Sequence, residues 1–98
     1  MSTAEIIAKL ESLRAKLERE GVEHLAIFGS RARGDHSQAS DLDLLIDAAP
    51  MSRFSILNLV GVEHIVTDST GLAANAFMRR SLDEPFKHSI SSEIVEIF

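Results

Sequence analysis

The chain has 98 residues, 45% hydrophobic and 26% charged, with no Cys, Trp or Tyr and a formal net charge of −5. That length predicts one domain, residues 1–98, because so small a core cannot be divided and stay stable. The composition excludes disulfides and thiolate metal sites, and the acidic balance argues against general nucleic-acid binding, which needs a basic face. A nucleotide is not excluded, since its phosphates need only a local positive site and a metal.

Met1-Ser2-Thr3-Ala4-Glu5 opens an amphipathic pattern rather than a basic-then-apolar leader, and no run approaches the ~18 apolar residues of a membrane span. A soluble, cytoplasmic protein without a membrane partner is the expectation. Ile6, Leu10, Leu13 and Leu17 recur at helical spacing, which predicts one helix over 2–20, opened by the Ser2/Glu5 capping-box pair and closed by Gly21. Val22 to Phe28 reads as a short buried strand that stops at Gly29-Ser30. Residues 30–34 can form a short helix, and 36–39 read as a loop. From 41 to 47 the chain alternates, with Leu42, Leu44 and Ile46 on one side and Asp41, Asp43, Leu45 and Asp47 on the other.

The stretch 52–70 predicts a helix with Phe54, Leu57, Val60, Ile65 and Val66 on its inner face, ending at Gly71; the alternative makes 62–67 a strand. Residues 73–78 read as a strand. Ser81 with Glu84 has capping-box spacing for a helix to about Ile90, and 93–98 alternate as a last strand. Alternating helix and strand signals give an α/β (α+β) chain with a small mixed sheet of about four strands and helices packed on one face.

The chemistry concentrates in Gly29-Ser30-Arg31-Ala32-Arg33-Gly34 and Ser40-Asp41-Leu42-Asp43-Leu44. A strand that ends in Gly-Ser and turns into a helix aims backbone N–H groups and a hydroxyl at one spot, and Gly lets a phosphate approach closely. Arg31 and Arg33 supply nearby charge, one of them expected on phosphate. Asp41 and Asp43, two apart on a strand, leave the same face roughly 6.5–7 Å apart at the backbone. Two carboxylates beside a phosphate site, without His or Cys ligands at suitable spacing, favour hard Mg²⁺ or Mn²⁺ over zinc. Asp47, Arg79 and Arg80 read as surface residues, and the four His show no metal-ligand spacing.

Gly29-Ser30, ten intervening residues and Asp41-Leu42-Asp43 resemble the signature of the polymerase-β-type nucleotidyltransferase superfamily. The small size and the Ala32-Arg33-Gly34 and Ser40-Asp41 details resemble its minimal members, the MNT domains, often antitoxins of HEPN-domain ribonuclease toxins. The resemblance implies a polymerase-β-like core in which Gly29 and Ser30 bind the triphosphate and Asp41 and Asp43 hold the metal. It implies ATP as substrate, AMP transfer to a Tyr hydroxyl of a HEPN partner, and allows a homodimer.

The family normally places a third carboxylate on the next strand, where it positions and deprotonates the attacking hydroxyl. With 73–78 as that strand the matching residue is Asn75, a departure, because an amide accepts no proton. With the alternative strand, Glu63 or His64 would stand there. The departure leaves open a catalytically weak antitoxin that binds nucleotide and neutralises its partner by occlusion. Transfer to a small molecule such as an aminoglycoside would need helices beyond this minimal core.

Overall fold

The computed structural model describes residues 1–98. Helices α1 (Thr3–Ser12) and α2 (Arg14–Glu20) lead into strand β1 (Val22–Phe28), the single turn α3 (Ser30–Arg33) and strand β2 (Leu42–Ala48). Helix α4 (Ile56–Thr70), strand β3 (Ala74–Met78), a 3₁₀ turn (Arg79–Ser81), helix α5 (Glu84–Ile90) and strand β4 (Val95–Glu96) complete the chain. The four strands form one sheet in the order β3-β2-β1-β4, with β2 and β3 parallel and the other pairs antiparallel. Helix α4 is the crossover that parallel neighbours require.

The alternation in β2 is realised as expected. Leu42, Leu44 and Ile46 join Ile6, Leu10, Leu17, Leu25, Ile27, Val62 and Val66 in the main core, between the sheet and α1, α2 and α4. Leu45 points to the other face, where it packs with Ala26, Phe28 and Ile90 of α5. The long helices therefore cover one face, while α5 shields only part of the second. Asp43 and Asn75 belong to that second, more open face. Leu44 is fully buried, so Leu44→Ala should cost about 2–5 kcal/mol, read as a lower urea midpoint.

Four expectations change in detail. The first helix is interrupted at Leu13, because the Ser12 hydroxyl donates to the Lys9 carbonyl and competes with the helical ladder. Helix α4 starts at Ile56 rather than 52, and Val62 and Val66 face the core, whereas Leu57 and Val60 are exposed. The cause is contact with α2. Asn58 Nδ2 donates to the Glu20 carbonyl at 3.2 Å, and a side chain at Gly61 would meet Glu20 Oε1 at 2.6 Å, which turns that flank inward and Leu57 and Val60 out.

The N-cap of α5 is Asp83, accepting from Phe86 N at 2.8 Å, rather than Ser81, which ends the 3₁₀ turn. Pro85 suits the first helical turn and so fixes where that helix begins. Finally, β4 is regular only over Val95–Glu96. Beyond it the Leu25 carbonyl accepts from both Ile97 and Phe98, so pairing continues in irregular form.

Candidate active site

The site is built where the end of β1 lies beside the start of the antiparallel strand β2. Phe28 lies opposite Asp43, and Asp43 in turn lies beside Asn75 on the parallel strand β3. The turn after β1 depends on Gly29, whose φ of 81° and ψ of −165° lie in a region essentially reserved for glycine. Its missing side chain also makes room: a Cβ there would stand 2.5 Å from Asp43 Oδ2. Gly29 is thus what brings the backbone of the turn against the carboxylate. Gly29→Ala should lose about 1–3 kcal/mol to backbone strain and displace Asp43. Chemical denaturation and nucleotide affinity would both register the change.

Asp41 and Asp43 converge as their spacing predicts. The side-chain nitrogen of Asn75 donates to Asp41 Oδ2 at 3.1 Å and to Asp43 Oδ1 at 3.4 Å. One small polar group therefore reaches both carboxylates, the arrangement a shared cation needs. Burial pushes the Asp43 carboxyl above its ordinary value, with Asp41 and Glu93 adding to the shift and the Asn75 hydrogen bond and Arg33 opposing it. An acid made costly in this way gains from a neighbouring cation.

The donor set is two hard oxygen ligands, and no group of three or more His, Cys, Asp or Glu is placed to hold a metal. That set fits Mg²⁺, which keeps several waters and shares carboxylates with substrate phosphates, better than an ion needing a full protein cage.

The two arginines part company. Arg31 was expected near phosphate, but it is 2% exposed and its guanidinium donates to the carbonyls of Ser37, Gln38 and Ser40. A cation so committed is a brace for the loop that delivers Asp41, and the phosphate assignment is corrected for this residue. Arg33 remains at the surface beside the turn, paired with Asp35 at 3.1 Å and with Glu93.

Glu63 is also settled geometrically. It sits on α4, not on a strand, and accepts from Ala76 N at 2.8 Å, closing an edge N–H of β3; His64 is exposed on the same helix. Asn75 is the residue that stands beside Asp43.

Two features had no signal in the local sequence. Glu93 reaches Arg33 from 60 residues away, because Val95 pairs with Ile27 and so brings the segment before it level with Gly29. Arg79, read as a surface residue, links Asp47 of β2 to Glu96 of β4 at 3.0 and 2.8 Å.

Fold and site together define a nucleotidyltransferase core of the polymerase-β type: a strand–Gly-Ser turn–strand unit with two carboxylates on the second strand. The chain belongs to the nucleotidyltransferase-domain family, whose model matches residues 7–95, in its minimal, MNT form. It is 33% identical over 81 residues to a Methanocaldococcus jannaschii protein provisionally named a protein adenylyltransferase, covering 82% of this chain and 81% of that one. It is 30% identical over 80 residues to the protein adenylyltransferase MntA of Thermococcus cleftensis, covering 82% and 79% respectively.

Among solved structures, one provisionally described as a minimal nucleotidyltransferase superposes with a TM-score of 0.80 at 23% identity over 97% of this chain and 95% of that one. A chain of the complex described as tri-AMPylated Shewanella oneidensis HEPN toxin with MNT antitoxin superposes with a TM-score of 0.63 at 14% identity, over 90% and 68%. These two likenesses concern the fold. No helix is long and apolar enough to cross a membrane.

Proposed function

We propose that this chain is a Mg²⁺-dependent protein adenylyltransferase that transfers AMP from ATP to a tyrosine hydroxyl of a HEPN-type toxin and acts as its antitoxin. The observation that carries the reading is the convergence of Asp41 and Asp43 on one point beside the Gly29-Ser30 turn. Relatives named protein adenylyltransferases support the reaction class, and the complex of an AMPylated HEPN toxin with an MNT antitoxin supports the kind of partner.

In this reaction the acceptor oxygen forms a bond to the α-phosphorus, the bond from that phosphorus to the β-phosphate bridge breaks, and pyrophosphate leaves. The hydroxyl proton passes to solvent or to a base. Asp41 and Asp43 would hold Mg²⁺, which when bound neutralises charge developing on the phosphate oxygens. Gly29 and Ser30 would receive the distal phosphates, with Arg33 beside them, while Arg31 keeps the Asp41 loop in place. Asn75 would orient the acceptor hydroxyl through its amide without taking the proton.

The test is incubation of the chain with its partner, Mg²⁺ and ATP labelled at the α-phosphate. Label on the partner that disappears with EDTA is the expected result; label that ignores chelation would sink the metal-dependent reading. A second reading rests on Asn75, which cannot accept a proton: the chain would bind Mg²⁺·ATP and silence its partner by occlusion. That reading gains if nucleotide binds and toxicity is relieved while no label moves.

A further inference from the structure

The open face of the sheet carries an aromatic group that begins at Phe28, opposite Asp43 in the β1–β2 register. Phe28, next to Gly29, lies 5.6 Å from Phe77 with the rings tilted at 59° and 5.9 Å, edge-on, from Phe86, and Phe77 and Phe86 lie 6.5 Å apart. Phe77 is two residues beyond Asn75 on β3, so both side chains leave the same face. Phe28 is buried, but Phe77 and Phe86 each remain 37% exposed. The two rings cover Phe28 on their inner sides and leave their outer sides open to solvent beside a polar site, where an apolar or aromatic group can still gain by burial.

We propose that Phe77 and Phe86 form the acceptor subsite, a shelf that receives the ring of a tyrosine carried on a basic segment of the partner. The inference rests on the proposed reaction and names residues that would choose its acceptor.

Direction comes first. In an in-line displacement the attacking hydroxyl and the departing pyrophosphate lie on opposite sides of the phosphorus. With the distal phosphates at Gly29-Ser30, beyond β1, the hydroxyl enters from the other side of Asp43. In the strand order β3-β2-β1 that side is β3, which carries Asn75 and Phe77. The aromatic shelf thus flanks the acceptor's path rather than the phosphates.

Charge gives the flanking chemistry. Around this face Arg33 pairs with Asp35 and Glu93, Arg79 with Asp47 and Glu96, and Lys87 with Glu84, which leaves Arg80, exposed on the turn after β3, as the cation without a carboxylate at ion-pair distance. Asp41 and Asp43 have no cation at ion-pair distance, and the whole chain carries −5. A partner segment approaching here meets net negative charge and is favoured by Lys or Arg beside its tyrosine.

Because the chain contains no Tyr or Trp, the emission of an added tyrosine peptide reports on the peptide alone. The probe is an acetylated, amidated Lys-Lys-Tyr-Lys-Lys peptide, titrated by fluorescence anisotropy without ATP or Mg²⁺. Wild type, Phe77→Leu and Phe86→Leu run in parallel, the leucines keeping apolar volume while removing the ring faces, and thermal melting checks that each variant folds. Binding about three- to tenfold weaker in the leucine variants, the size of a lost aromatic pair, is expected. Fluorescent MANT-ATP with Mg²⁺ should bind all three forms within about twofold.

Equal peptide binding by wild type and variants, or none by wild type, would overturn the shelf as acceptor subsite. Weakened MANT-ATP with unchanged peptide binding would also overturn it, by making the rings a base platform. A Glu-flanked tyrosine peptide binding as tightly as the Lys-flanked one would overturn the basic segment. Since this readout needs no turnover, failure of AMP transfer and failure of the shelf are separate results.

Discussion

Asn75→Asp is expected to raise AMP transfer by on the order of a hundredfold, the usual contribution of a positioned general base. The register puts Asn75 beside Asp43, and its amide already reaches both acids, so an aspartate there would complete a cluster of three carboxylates on one point. The same change has a cost that can be read independently. Two hydrogen bonds donated to carboxylates are replaced by repulsion between like charges, and Asp43 is already burdened by burial. Without divalent ions the variant should melt below wild type, and Mg²⁺ should raise its melting temperature more than it raises that of wild type. A rate gain together with this ion-dependent stability would mark position 75 as the place of the missing acid. Mg²⁺-independent melting with no gain in rate would mean that Asn75 is only a strand residue.

The parts of the molecule legible from sequence were those fixed by neighbours along the chain. The alternation of Leu42, Asp43, Leu44, Leu45 and Ile46 assigns each side chain a face, and the observed core follows it. The Gly-Ser turn and the two aspartates likewise depend on spacing alone, and Asn75 stands beside Asp43 because β3 spans Ala74–Met78 in parallel register with β2. Helix α4 was harder. Ile56, Leu57, Leu59, Val60, Val62, Ile65 and Val66 surround it on several sides, so periodicity offers no single stripe, and contact between Gly61 and Glu20 chooses the face.

Arg31 shows a different limit. Burying a guanidinium requires acceptors that offset its desolvation, and these are the carbonyls of a loop whose path no local pattern specifies. Glu93 carries no local signal because its place beside the site exists only once β4 has paired with β1. Non-local pairing is what spacing cannot carry.

Asp41→Asn and Asp43→Asn should each reduce transfer by roughly a thousandfold, taking the charge stabilisation lost with a metal ligand as ~4 kcal/mol. Their effects on stability should differ, and that difference tests the site more sharply than activity does. Asp41 is exposed, so removing its charge relieves little. Asp43 is half-buried and its charged form is penalised first by desolvation and then by Asp41 and Glu93. An amide at 43 keeps an oxygen for the Asn75 hydrogen bond while shedding that penalty. In the absence of divalent ions Asp43→Asn should therefore melt at or above wild type, while Asp41→Asn should match it. A variant that loses its reaction and gains stability identifies a residue kept at the expense of the fold, as a buried ligand for a cation would be. Equal destabilisation by both substitutions would instead place the two aspartates among the structural supports of the β2 terminus, and the nucleotide site would have to be sought elsewhere.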